Sequence, residues 1–205
     1  MTAHVRTSAL VGLALVAAVT AGCSVSGSPA SEGSAPPGSS SAVAHTPAPT
    51  ESNPPGDIPD NQAYVPFGGP GFTVKVPEGW ARTEQGGATV FTDKLNTVRI
   101  SAVSASAAPT VGSVTHTVVP KLRSQVPKFA SPKVSEVKRH AGRVVLLTYQ
   151  GDSVKDPVTG KVVRDAFERY AFHRSGHEVD LTLSGPVDAD NVDPWRIISG
   201  SFAWR

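Results

Sequence analysis

The chain has 205 residues, 39% hydrophobic and 18% charged, with a formal net charge of +2 and a single cysteine, Cys23. One cysteine excludes an intramolecular disulfide, so any core must hold by packing alone. The lack of a nucleic-acid-binding motif argues against nucleic acid as a partner.

The first residues have the layout of a secretory leader: basic His4 and Arg6, then an uncharged apolar run from Ala9 to Val19. That run is about a dozen residues, short of the ~20 a membrane-spanning helix needs. Thr20-Ala21-Gly22-Cys23 follows. It resembles the lipobox of bacterial lipoproteins, in which the cysteine thiol receives a diacylglyceryl group and the chain is cut on its N-terminal side. Thr20 stands where those proteins usually carry leucine. The expectation is a signal peptide over residues 1–22 and a lipid anchor (diacylglyceryl, with a further acyl chain such as palmitate) on Cys23. It would place the protein on the outer face of the cell membrane. Two acyl chains at ~0.8 kcal/mol per buried methylene make a durable attachment, where one is marginal.

Residues 23–62 are rich in Ser, Pro, Gly, Ala and Thr, with prolines at 29, 36, 37, 47, 49, 54, 55 and 59 and no aromatic residue. Too little apolar surface is present to offset ordering entropy, which predicts a disordered stalk. As a flexible coil its ends lie roughly 35 Å apart. Its composition also suits O-glycosylation. The stalk holds Glu32, Glu51, Asp57 and Asp60 but no Lys or Arg, so residues 63–205 are moderately basic.

About 140 residues remain, enough for one domain with one core. Folded sequence is expected from near Tyr64. Gly68 to Gly71 reads as a turn, and Phe72 to Val76 alternates as a half-buried strand. Ala88–Phe91 and Thr97–Val103 form a hairpin around Asp93-Lys94-Leu95-Asn96. Val111, Val114, Val118, Leu122 and Val126 recur at helical spacing, with Thr110 as N-cap and a kink at Pro120. Strands follow at Lys133–Arg139, Arg143–Gln150, Val162–Phe172 and around Val179, Leu181 and Leu183, with a tight turn at Arg174-Ser175-Gly176. Asp193-Pro194 caps a short last helix carrying Trp195, Ile198 and Phe202 on one face. Adjacent strands joined by turns, with helices packed on them, make an α+β fold built on an antiparallel sheet.

Gly71-Phe72-Thr73-Val74-Lys75-Val76-Pro77-Glu78-Gly79-Trp80 resembles the opening of PsbP-like domains. The tip Asp156–Lys161 and the closing Ser201-Phe202 also fit that pattern. The fold is shared by a photosystem II extrinsic protein and by a nuclear import factor that binds the GTPase Ran. In actinobacteria such domains ride on lipoproteins of the Lpq type. The resemblance implies an α/β/α sandwich and a binding or assembly role without catalysis. It carries over no ligand-binding residue.

Candidate chemistry is sparse. Gly151-Asp152-Ser153-Val154 looks like the nucleophile block of GDS-type esterases but lacks their late Asp-x-x-His, so Ser153 reads as a turn residue. His173 and His177 are four apart, yet Gly176 argues for a hairpin with the two facing each other across its turn, short of the ligands a metal needs. Asp188, Asp190, Asn191 and Asp193 begin like a calcium loop that Val192 and Ser199 break. Trp80 and Trp195 read as core plugs. Lys121, Arg123, Lys128, Lys133, Lys138, Arg139 and Arg143 are opposed only by Glu136. They read as a solvated face or as a surface for an anionic envelope component or partner protein.

The function expected is therefore a non-catalytic, lipid-anchored binding or adaptor module of the cell envelope, with no cofactor and no metal. Two alternatives stand beside it: a carrier holding an apolar lipid between helix and sheet, and a hydrolase.

Overall fold

The computed structural model describes residues 55–156 and 159–205. The expected signal peptide, Cys23 and most of the expected stalk lie outside the described residues. In chain order the elements are β1 (Tyr64–Gly69), β2 (Phe72–Pro77), β3 (Ala81–Gln85), β4 (Ala88–Asp93) and β5 (Asn96–Ser104). A helical segment follows: α1 (Val111–Ser113), a π-helical turn (Val114–Val118) and α2 (Val119–Gln125). Then come β6 (Ala130–Arg139), β7 (Gly142–Asp152), β8 (Arg164–Arg174), β9 (His177–Pro186), α3 (Val192–Gly200) and β10 (Ala203–Trp204).

The class is α+β, as the pattern of strands and helices implied. The strands form two antiparallel sheets where the sequence suggested one. The larger has the order β3-β4-β5-β9-β8-β7-β6, and the smaller is β1-β2-β10. The second sheet arises because the chain's end returns to β2, with Ala203 opposite Thr73 and Trp204 opposite Phe72.

Strand alternation gives the large sheet two differently covered faces. On one, Val98, Ile100, Tyr170, Phe172, Val179, Leu181 and Leu183 pack against Phe72, Val74 and Val76 of the small sheet and against Trp195, Ile198 and Phe202. Full burial of such side chains contributes about 1.5–3 kcal/mol each. On the other, Val145, Leu147 and Tyr149 meet Val114 and Val119 of the helical segment. Trp195 is in the core and Trp80 packs against it, half-buried.

The helix begins where the sequence placed it. The Thr110 side chain accepts from Ser113 N–H while the Ser113 hydroxyl accepts from Thr110 N–H, a reciprocal cap. The expected kink at Pro120 is instead a widened turn, in which Val119 N–H reaches back five residues to the Val114 carbonyl. A proline ring clashes with the carbonyl four residues earlier in a regular helix, and the extra residue relieves that contact. The extra residue also brings Val119 into the core at 7% exposure, while Val111, expected inside, lies before the turn and is 38% exposed.

Residues 55–62, assigned above to the stalk, are part of the domain. Ile58 is 3% exposed in the main core. The Gly56 carbonyl accepts from Asn96 Nδ2 at 2.8 Å and Asn191 Nδ2 at 3.0 Å, and Asn191 Oδ1 accepts from Ile58 N–H at 2.8 Å. Asp190 N–H donates to Asp57 at 2.9 Å. Polar composition hides this clamp, because one apolar residue among prolines gives no period. Asn191→Ala strands the buried Ile58 N–H and weakens the clamp, at a cost of about 1–3 kcal/mol. Hydrogen exchange at the Ile58 amide should accelerate by the corresponding factor; unchanged exchange rules the clamp out.

Candidate functional site

The β8–β9 hairpin turns on two residues, Ser175 (φ 50°) and Gly176 (φ 79°), both left-handed as a two-residue hairpin loop requires. Its register pairs Arg174 with His177 and His173 with Glu178. Neighbouring cross-strand pairs lie on opposite faces, so the two histidines do not face each other across the turn. His173 Nε2 donates to the Ala105 carbonyl at 2.9 Å. His177 stays on the Arg174 side, exposed.

On that side the hairpin tip meets the β1–β2 turn and the end of β10. Gly71 holds the turn with φ 76°, a value that favours glycine, and its carbonyl accepts from Arg205 N–H at 2.9 Å. Pro70, Gly71, Arg174, Ser175, His177, Trp204 and Arg205 together line a groove of about 430 Å³. Trp204 is half-buried, with its ring 5.1 Å from that of Phe202 and nearly perpendicular to it.

The guanidinium partners across the described residues single out this groove. Arg82, Arg143, Arg164, Arg169 and Arg196 are in ion pairs. Arg99 donates to the Gln85 carbonyl at 3.2 Å, and Arg123 lies over the Phe129 ring. Arg139 donates to Ser199 Oγ and to Tyr170 Oη, and lies over the Tyr170 ring. Only Arg174 and Arg205 among the described arginines have no side-chain partner, and both line the same groove. Two unpaired cations lining one groove repel, and an anion taken up there lowers that cost.

The groove lies at one end of the large sheet. β9 runs ten residues from His177 there to Pro186 at the other end, a separation of roughly 30 Å. Pro186 abuts Gly56, where the N-terminal segment joins the domain. The acidic residues Asp152, Asp165, Asp188 and Asp190 lie toward that entry end, where Lys128 and Arg164 pair with Asp152.

The seven basic residues singled out in the sequence do not form one surface. Alternation in β6 puts Lys138 on the side of Val134, under the helix, and Lys133 and Arg139 on the side of Val137, against the main core. Arg143 pairs with Glu136, and with Val137 and Lys138 they line a second hollow of about 350 Å³. Lys128 binds Asp152 at 2.9 Å. Lys121 and Arg123 are exposed on α2. Arg139 serves packing, as its contacts with Ser199 and Tyr170 indicate.

Other clusters are internally satisfied or buried. Ser153 Oγ donates to the Val154 carbonyl and accepts from Val163 N–H, so it fixes its loop. In the calcium-like stretch Asn191 belongs to the clamp and Asp193 pairs with Arg196. Among the described residues no group of three metal-ligating side chains comes together. Arg169 sits between Glu178 at 3.5 Å and Asp180 at 2.5 Å on the helix side. Burial, and then the Asp180 charge, raise the Glu178 carboxyl above its usual range. The helix–sheet interface is filled by the chain's own side chains: Tyr149 stacks on Phe167 at 4.5 Å and on Phe129 at 5.1 Å. A Cβ at Gly151 would lie 2.2 Å from Val126.

The groove residues Arg174, Trp204 and Arg205 were not singled out by the sequence. The Arg-Ser-Gly turn did place Arg174 at a hairpin tip, but nothing in the last three residues signalled a strand.

No family model matches the chain, and no curated protein matches it. Among solved structures it is similar to the cyanobacterial PsbP (CyanoP) of Synechocystis sp. PCC 6803, at 14% identity and TM-score 0.49, covering 70% of this chain and 94% of that one. It is similar to a Bacteroides thetaiotaomicron protein at 15% identity and TM-score 0.44, covering 68% of this chain and 48% of that one. LpqN of Mycobacterium tuberculosis, involved in cell envelope biogenesis, is similar at 15% identity and TM-score 0.40, covering 70% of this chain and 91% of that one. At these identities no ligand, partner or site residue passes from them to this chain.

Proposed function

We propose that this protein is a non-catalytic, lipid-anchored interaction module of the cell envelope whose working end is the arginine groove. The observation that carries it is the pairing of two facts about Arg174 and Arg205. They alone among the described arginines lack a partner, and they meet at the end of the sheet remote from the point where the N-terminal segment joins. A domain tethered through Cys23 would then present this end away from its point of attachment, to an anionic component of the envelope. The filled helix–sheet interface gives an apolar ligand no room, which favours this function over a lipid carrier.

The test is position-dependent capture in intact cells. A photo-crosslinking residue at Ser175, beside the groove, should trap an envelope component, and the same residue at Leu95, at the other end, should not. Capture should be lost when Arg174 and Arg205 are both glutamine. Equal capture from the two ends, or capture indifferent to the arginines, overturns the assignment. The anchor has its own expected result: Cys23→Ala leaves uncleaved precursor and moves the protein out of the detergent phase, and unchanged partitioning removes the lipoprotein assignment.

A further inference from the structure

We infer that the groove is a binding site for an acidic sugar, a uronate or sugar phosphate unit of an envelope glycan, an assignment that rests on the working end proposed above. The lining decides the class. It offers two unpaired guanidiniums, an imidazole, a hydroxyl and one indole, with no Leu, Ile, Val or Met. Guanidinium is the side chain best suited to carboxylate and phosphate, and an unpaired guanidinium keeps its full donor set for a ligand.

An anion alone would need no aromatic ring. Trp204 adds a flat apolar surface with a polar edge, and its ring is fixed by Phe202. A pyranose has the matching character: one face made of C–H bonds and a rim of hydroxyls. The volume of about 430 Å³ falls within the ~300–1,000 Å³ of small-molecule sites and admits one or two sugar units. An acyl chain finds no aliphatic wall here. A protein partner would lack the packed apolar centre that anchors such interfaces. Pro70, Gly71 and Ser175 form the rest of the wall, and glycine at 71 leaves backbone accessible at the rim, since nothing lies within 4 Å of where its Cβ would be.

The experiment titrates the full-length protein in detergent micelles with five probes: trigalacturonate, glucose 1-phosphate, neutral maltotriose, a polyglutamate peptide and phosphatidylglycerol vesicles. Tryptophan fluorescence and calorimetry read the binding, with Trp204→Phe identifying which ring responds. The expected result is binding of at least one acidic sugar and not of maltotriose. Arg174→Gln combined with Arg205→Gln should weaken it by about tenfold or more. Trp204→Ala should weaken the acidic sugar while leaving inorganic phosphate, titrated separately, unchanged. Binding of polyglutamate or vesicles that depends on the two arginines and exceeds that of both sugar acids overturns the sugar assignment but leaves the working end intact. If no anion binds in an arginine-dependent way, both fall. Circular dichroism of the variants establishes that they are folded; these positions are at the surface or half-buried.

Discussion

Replacing Phe202 by alanine is expected to lower the free energy of unfolding by about 3–5 kcal/mol, the range for deleting a buried phenylalanine. The side chain is 0% exposed. Its ring stacks on Phe172 at 3.9 Å and on Phe72 at 5.4 Å, and meets Trp204 edge-on at 5.1 Å. It thereby joins the large sheet through β8, the small sheet through β2 and the final strand that carries the groove's indole. Domains of this size hold only about 5–15 kcal/mol in total, so the loss is a large fraction of what keeps the chain folded. Urea unfolding measures it directly. Phe202→Leu, which keeps most of the volume, should cost less than half as much. A loss below about 1 kcal/mol for the alanine variant would mean that the two sheets are not joined here. Because Trp204 leans on Phe202, the alanine variant should also bind the proposed acidic sugar more weakly even under conditions where it remains folded.

Asp165→Asn is expected to act in the opposite direction and to do so only above acid pH. Asp165 is 7% exposed and its Oδ1 has no hydrogen-bond partner. Burial, reinforced by the charge of Asp152, pushes its carboxyl from 3.8 up to about 6. An acid with a raised pKa in the folded state binds more protons folded than unfolded. Stability therefore falls as pH rises from about 4 to about 6 and is level above that. The asparagine variant escapes this loss. It should be more stable than the parent by on the order of 2 kcal/mol at neutral pH and equal to it near pH 4.

Asp152 does not confuse the measurement. Hydrogen bonding to Lys128, then the charge of Lys128 and contact with Arg164, lower its carboxyl pKa. Its contribution is present above the ordinary carboxylate range and is lost only as pH falls below it. Glu178 is raised as well, by burial and the Asp180 charge, and leaves a slope of the same sign in both proteins. Identical pH profiles for parent and variant would show that Asp165 is solvated.

The α+β class was legible because alternation survives translation into structure. Val179, Leu181 and Leu183 read as a strand and are 1%, 0% and 0% exposed. The same holds for Phe72, Val74 and Val76, and for the hairpin around Lys94-Leu95. What failed were elements that carry no apolar period of their own. β3 is exposed along its whole length and is held by pairing to β4, so it has no apolar period to detect. β10 spans two residues and exists because β2 offers an edge. The π turn at Val114–Val118 answers to Pro120 and to the need to bury Val119 at once.

The site was harder to read for a related reason. A run of basic residues close in sequence looked like one surface, yet in a strand consecutive side chains point to opposite faces, and β6 divides them. The arginines that line one groove, Arg174 and Arg205, are separated by all of β9, α3 and β10. Composition cannot reveal whether an arginine has a partner.

By itself the sequence determined the alternating strands, because alternation is a local pattern in which each residue's neighbours carry the signal. The tertiary structure alone decided three things: that Ile58 and Gly56 belong to the domain, that the strands divide into two sheets, and that two unpaired guanidiniums meet an indole at one end. Each depends on contacts between residues distant in the chain, and such contacts exist only once burial has selected which faces come together.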